Sequence, residues 1–292
     1  MLTLQLKDGR TLAYEVYGDP DGVPVIFNHG LSDSRLIHYP DDEFTKSLGV
    51  RIVAVDQPGV GGSSPQPGRR LRDWAKDIEQ LVDALDIEQF AVAGHSGGGP
   101  HALAIAAHLP DRVTCGVLAA PAGPLDLPGF ADIVESKAAI SLVKLSRFPI
   151  AFRPLLRISM GAIAWWANSD MSRYLNIVAK SDRTNGNPET FLADPKQQQM
   201  FEESFRAGFV QGAEGIVEMI EALFTDWGFA LADVSQHFDI FFGDLDASLK
   251  PEMGQAISNA MPDAQFHTWR DTGHYGFVDR QHWKEFFSPV GK

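Results

Sequence analysis

Short apolar runs and longer amphipathic stretches alternate along residues 1–121. Val23–Asn28, Arg51–Val55, Phe90–Gly94 and Val113–Ala119 are brief, β-branched or alanine-rich, and each is followed by turn residues. That is the pattern of parallel strands covered on both faces. Between them, Trp74, Ile78, Leu81, Val82 and Leu85 fall on one helical stripe, with Lys76, Asp77, Glu79 and Asp83 around the rest. A second helix is predicted from about Gly98 to His108, with a small packing face of Ala102, Leu103, Ala106 and Ala107 and a stop at Pro110. The rhythm predicts a doubly wound parallel sheet. Leu2–Leu6 and Thr11–Tyr17, around the turn Asp8-Gly9, predict an antiparallel hairpin joined to its edge.

After Pro121 the rhythm changes. Residues 122–232 carry no clear buried strand but several helical patterns, including Phe201, Phe205, Phe209, Ile216, Ile220 and Leu223. A strand-helix-strand crossover needs roughly 30 residues, so most of this stretch is surplus to the sheet and is expected to form a helical cap. The sheet pattern resumes with Phe238–Phe242, a helix through Met253, Ala256, Ile257 and Ala260, a strand Ala264–Thr268 and a last helix from about Gln281. The expected organisation is a core of residues 1–121 and 233–292, with 122–232 as an inserted cap that includes the crossover back to the sheet.

Composition narrows the partners. In 292 residues, 25 basic against 38 acidic side chains leave a net charge of −13, which repels a polyanion and makes nucleic acid an improbable partner. The single cysteine, Cys115, cannot form an internal disulfide and is expected to be buried and inert. The N-terminus lacks the basic flank and apolar core of a signal peptide, and Met160–Ala167 is shorter than the ~18 apolar residues of a membrane span. A soluble, cytoplasmic protein is expected. Its oligomeric state is left open.

The strongest chemical signal is Gly94-His95-Ser96-Gly97-Gly98, between the strand ending at Ala93 and the helix beginning near Gly98. A G-x-S-x-G in that context is a sharp turn that forces its serine into a strained conformation, with glycines where no side chain fits. Two weaker patterns carry less. Gly59-Val-Gly-Gly lacks the Gly-Lys-Ser/Thr of a phosphate loop and reads as a tight turn. His101, His108, His237, His267 and His282 show no spacing with carboxylates that suggests a metal site, so neither a metal nor a cofactor is expected.

On these motifs the sequence resembles the α/β-hydrolase family over nearly its whole length. The motifs are Asn28-His29-Gly30 after the third strand, Asp56-Gln-Pro-Gly-Val-Gly-Gly-Ser after the fourth, and the Ser96 elbow after the fifth. Gly243-Asp-Leu-Asp246 follows the seventh strand and Thr272-Gly-His274 the eighth. More narrowly, His29-Gly-Leu-Ser-Asp-Ser-Arg35, the GxSGGGP elbow and Trp227-Gly-Phe229 look like a subgroup of capped α/β-fold hydrolases. The resemblance implies an eight-stranded, mostly parallel sheet with a nucleophile, an acid and a base at the carboxyl ends of the strands.

A serine hydroxyl needs an adjacent base, and His274 is the candidate: it follows the turn Asp271-Thr-Gly just past the last strand. The order serine, acid, histidine matches that of the fold. Asp246 is the preferred acid, because the resembling motif is Gly-x-x-Asp and 274 − 246 = 28 residues spans one helix, one strand and two turns. Asp244 is read as serving its turn through a local backbone bond, and Asp126 is a distant third candidate. By the fold analogy, the amides of Gly97 and Leu31 form the oxyanion hole. His29 is expected to anchor its loop and His95 only to pack.

The leading expectation is a cofactor-independent serine hydrolase of a small, apolar ester or related acyl compound, working through an acyl-enzyme. If neutral His274 is the base, kcat/KM falls on acidification through about 6 to 7, because imidazole ordinarily titrates near 6.5. The alternatives are cleavage of a carbon–carbon bond, an aminopeptidase, or a low-turnover ligand-binding receptor or scaffold of the same fold. An aminopeptidase needs acidic cap residues for an ammonium; Glu214, Glu218 and Glu221 are available but read as a solvated helix face. Trp165, Trp166, Phe191, Phe201, Phe205 and Phe209 could line an apolar pocket above Ser96, though most read as cap core.

Overall fold

The strands found are β1 (Leu2–Gln5), β2 (Thr11–Gly18), β3 (Val23–Asn28), β4 (Val50–Val55), β5 (Phe90–His95), β6 (Val113–Ala119), β7 (His237–Gly243) and β8 (Ala264–Trp269). They form one sheet in the order β1-β2-β4-β3-β5-β6-β7-β8. β1 and β2 are antiparallel, β2 joins β4 antiparallel, and every later pairing is parallel. The computed structural model describes residues 1–124, 146, 148–181 and 192–291. The chain therefore has the doubly wound, mostly parallel sheet that the apolar rhythm predicts, with the opening hairpin at one edge.

The helices among the described residues are α1 (Asp42–Ser47), α2 (Leu71–Ala84), α3 (Gly98–His108), α4 (Pro149–Ser169), α5 (Met171–Ser181), α6 (Pro195–Phe209), α7 (Glu214–Leu223), α8 (Pro251–Ala260) and α9 (Arg280–Phe287). Each face of the sheet has its own core. Ile26, Val53 and Val92 pack with Trp74, Ile78, Leu103 and Ile257. Val25, Phe27 and Ala93 pack on the other face with Trp283, Phe286 and the helices between β6 and β7. Burial on both faces is why these strands read as continuous apolar runs rather than alternating ones. Cys115, at the β7-facing start of β6, is half-buried rather than buried.

Two buried polar clusters fasten the loops at the strand ends. The Trp74 indole N–H donates to Asn28 Oδ1 at 2.7 Å, and Asn28 Nδ2 donates to the Ala93 carbonyl at 2.9 Å, linking α2, β3 and β5. Asp56, fully buried, accepts from the amides of Arg35 and Gly62 and pairs with the Arg35 guanidinium at 2.6 Å. The glycines after Asp56 thus wrap a carboxylate, which explains their spacing without any phosphate. Removing the guanidinium leaves a buried charge without its counterion, so Arg35→Leu is expected to cost about 3 kcal/mol of stability. Urea unfolding tests this; a loss under about 1 kcal/mol would mean the amides alone satisfy Asp56.

Candidate active site

Ser96 follows the last residue of β5 and precedes α3 with φ of 51°, in the left-handed region that non-glycine residues rarely occupy. Its amide donates to the Ala119 carbonyl at 2.9 Å, and its own carbonyl accepts from Gly99 and Ala122. These bonds over-determine the turn, as a strained position at a functional site requires. The close approach of α3 to the strand ends decides the glycines: a Cβ on Gly98 would lie 2.1 Å from the Asn28 carbonyl oxygen. Ser96 is the half-buried residue in an otherwise buried elbow.

Asp246 and His274 meet, although 28 residues separate them. His274 Nδ1–H donates to Asp246 Oδ2 at 2.7 Å. The other carboxylate oxygen accepts from the amides of Ser248 at 2.7 Å and Leu249 at 2.9 Å, so the acid is held in place from both sides. With Nδ1–H committed to the carboxylate, Nε2 is the ring position left with a lone pair. The two loops are also laced together, Leu245 N–H to the Thr272 carbonyl and Asp244 N–H to the Trp269 carbonyl. Asp244 does not act locally as expected; its carboxylate reaches across to accept from the Thr272 amide at 3.3 Å, at the base of the His274 turn. Asp126 lies outside the described residues.

The His274 ring lies beside the elbow's His95, its centroid 4.8 Å from that of the ring next to Ser96 in the chain. The loop after β3 also comes up against the elbow. A Cβ on Gly30 would lie 3.2 Å from Ser96 Cβ, and one on Gly97 would lie 3.6 Å from the Leu31 amide nitrogen. The structure therefore brings Leu31 and Gly97 side by side at the N-terminus of α3, where partial positive charge gathers. His29 has no nitrogen to spare: Nδ1–H donates to the Gly30 carbonyl and Nε2 accepts from the Gln57 amide. Burial pushes its proton affinity down, keeping it neutral.

Several residues around the site were given no role there by the sequence. His101, one turn into α3, faces the Gly97 carbonyl at 2.9 Å through Nδ1 and accepts from Arg69 through Nε2 at 3.1 Å. Burial, then the Arg69 charge, hold His101 well below the usual imidazole range, and burial lowers Arg69 to about 10. Tyr275, next to His274, donates its hydroxyl to Asp33 Oδ1 at 3.2 Å. The Arg69–His101 and Tyr275–Asp33 contacts join residues 32 and 242 apart in the chain, and periodicity gives no signal of them.

The helices between β6 and β7 reach the same end of the sheet. The Ser34 amide donates to Ser204 Oγ on α6 at 3.1 Å, Phe201 of α6 lies edge-on to Tyr275, and Leu223 at the end of α7 comes within 3.4 Å of a Cβ built on Gly97. Phe201, Phe205 and Phe209 are fully buried, whereas Trp165 is 74% exposed and Phe191 lies outside the described residues. The glutamates of α7 are not a solvated face. Glu218 is 2% exposed, and Glu214, Glu218 and Glu221 all converge on Arg153 of α4. Arg153, Glu218 and Glu221 line a cavity of about 230 Å³ with Arg69, Phe152 and Phe224. Among the described residues, no group of three or more His, Cys, Asp or Glu could hold a metal ion, and no helix is long and apolar enough to cross a membrane.

Residues 23–281 match the profile of the alpha/beta hydrolase fold family, and the chain belongs to that family. It is 35% identical over 127 residues to a non-heme chloroperoxidase of Streptomyces lividans, a match to 43% of this chain and 46% of that enzyme's length. Over 236 residues it is 26% identical to a 2-hydroxy-6-oxononadienedioate/2-hydroxy-6-oxononatrienedioate hydrolase of Cupriavidus pinatubonensis, covering 78% of this chain and 71% of that one. Its fold superposes on an esterase from Exiguobacterium antarcticum with a TM-score of 0.72 at 21% identity, over 99% of both chains.

Proposed function

We propose that the protein is a serine hydrolase of a small carboxylic ester or related acyl compound. Ser96 Oγ attacks the acyl carbon as His274 Nε2 takes its proton; Asp246 holds the ring and stabilises the imidazolium that results. The amides of Leu31 and Gly97 bind the oxyanion, aided by the N-terminus of α3. His274 returns the proton to the departing alcohol, leaving an acyl-enzyme, then takes a proton from water so that hydroxide attacks the acyl carbon, and gives that proton to Ser96 Oγ as the acyl–Oγ bond breaks and the acid leaves. The observation that carries this reading is the 2.7 Å bond between His274 Nδ1 and Asp246, with the His274 ring 4.8 Å from that of His95, the residue before a serine held at positive φ.

The ester reading is favoured over an aminopeptidase by Arg153. A carboxylate cluster that binds an ammonium must have negative charge to spare, and here three cations already face the three carboxylates: Arg153 meets Glu214, Glu218 and Glu221, Arg157 meets Glu214, and Arg69 lines the same cavity.

A fluorophosphonate probe tests the proposal, because it labels only an activated serine. Labelling of the wild-type chain that disappears in Ser96→Ala supports it, and an unlabelled wild type favours a binding protein. The pH profile gives a second test. The base works only when neutral, so kcat/KM for a short p-nitrophenyl ester is expected to fall as the pH drops through the imidazole range, about 6 to 7. A flat profile from pH 5 to 8 would remove the imidazole from the mechanism.

A further inference from the structure

We propose that His95 and Asp33 form a second acid–imidazole pair, packed behind the first, that positions His274. The inference rests on reading His274 as the base. The sequence suggests that His95 only packs; its surroundings show more. His95 and Asp33 are both fully buried. His95 Nε2 lies 3.1 Å from the carbonyl oxygen of His274. A carbonyl can only accept, so Nε2 carries a hydrogen.

The other ring nitrogen, Nδ1, faces Asp33 Oδ2 at 3.4 Å. Neither atom has a hydrogen-bond partner of ordinary geometry among the described residues. A bare ring nitrogen opposite a bare carboxylate, both out of water, would leave two acceptors face to face with nothing to repay their desolvation. One proton between them removes that conflict, whichever atom it sits nearer, and leaves the pair with no net charge. Burial lowers the proton affinity of the ring and Asp33 opposes that effect.

The groups that face the pair complete the arrangement. Asp33 Oδ1 accepts from the Tyr275 hydroxyl. The His274 ring lies 4.8 Å away and Phe277 stacks on the His95 ring at 4.4 Å. The main chain at Gly30 presses on both partners, since a Cβ there would lie 2.8 Å from Asp33 Oδ2 and 3.0 Å from His95 Nδ1. One buried peg thus ties together the loop bearing Leu31, the elbow strand and the backbone of His274. Drift of about 1 Å in such a constellation can cost about 100-fold in rate.

The test uses the full chain with Asp33→Asn, Asp33→Leu, His95→Gln and His95→Leu. It reads kcat and KM for a short p-nitrophenyl ester per fluorophosphonate-titrated site, with the downfield proton resonance of the His274–Asp246 bond. Both leucine variants are expected to lower kcat about 10- to 100-fold, with KM little changed and that resonance shifted or broadened. Asp33→Asn supplies an N–H where the shared proton sits, and His95→Gln offers an N–H toward the His274 carbonyl. Both are expected to recover kcat to within about threefold of wild type. Unchanged kcat in the leucine variants, a loss confined to KM, or equal losses for Asn and Leu at position 33 overturns the proposal.

Nitrogen-labelled imidazole spectra of the wild type decide the same point without any variant having to fold: His95 Nε2 lacking a hydrogen overturns it. These spectra also separate the two readings. A wild-type chain that fluorophosphonate does not label refutes the serine hydrolase, while the tautomer of His95 still decides the pair.

Discussion

Ser96→Ala is expected to lower kcat for short esters by about 10⁴-fold or more while leaving the fold intact, since covalent catalysis disappears with the hydroxyl. Nothing structural depends on that hydroxyl: the bonds that fix the turn are those of the Ser96 amide and carbonyl. Alanine keeps the same backbone strain, so its stability is expected within about 0.5 kcal/mol of wild type. Ser96→Gly separates strain from chemistry. Glycine adopts φ of 51° freely, so this variant is expected to be equally inactive yet about 1 kcal/mol more stable than the alanine variant. Calorimetry beside an ester assay checks both, and retained turnover in either variant would remove Ser96 from the mechanism.

Asp246→Asn is the second large effect, with kcat expected to fall about 10³- to 10⁴-fold at little cost in stability. An amide in place of the carboxylate no longer favours Nδ1–H, so the ring can turn its hydrogen toward Ser96, where an acceptor is needed. The neutral group also fails to stabilise the imidazolium. The contrast is Asp244→Asn, whose carboxylate accepts one 3.3 Å bond from the Thr272 amide and does not touch His274. Its loss is expected to stay within about tenfold. A larger loss from Asp244 than from Asp246 would reverse the two assignments, and wild-type activity in both would direct attention to Asp126.

Much of the fold was legible because its signals are local. The strand at Val113–Ala119 and the helix at Gly98–His108 have the bounds that apolar runs, glycine and Pro110 suggest. Strands buried on both faces leave continuous apolar runs, and an amphipathic helix such as α2 leaves one stripe. The elbow was legible for a related reason: a tight strand-to-helix turn constrains adjacent residues, so glycines mark it. Asp244 was misread because its bond runs to another loop, and the glutamates of α7 because spacing along one helix does not say what faces it. Arg153, which faces them, lies 61 residues before Glu214.

By itself the sequence determined the alternating architecture, the serine elbow and the types of residue available as acid and base, all of which rest on short-range sterics and on hydrophobic periodicity. Only the tertiary structure decided that Asp246 rather than Asp244 meets His274, that His95 stands between Asp33 and the His274 backbone, and that the acidic face of α7 turns onto the arginines of α4. Those pairings depend on loops from separate strands converging at one end of the sheet, and a hydrogen bond formed in space leaves no period along the chain.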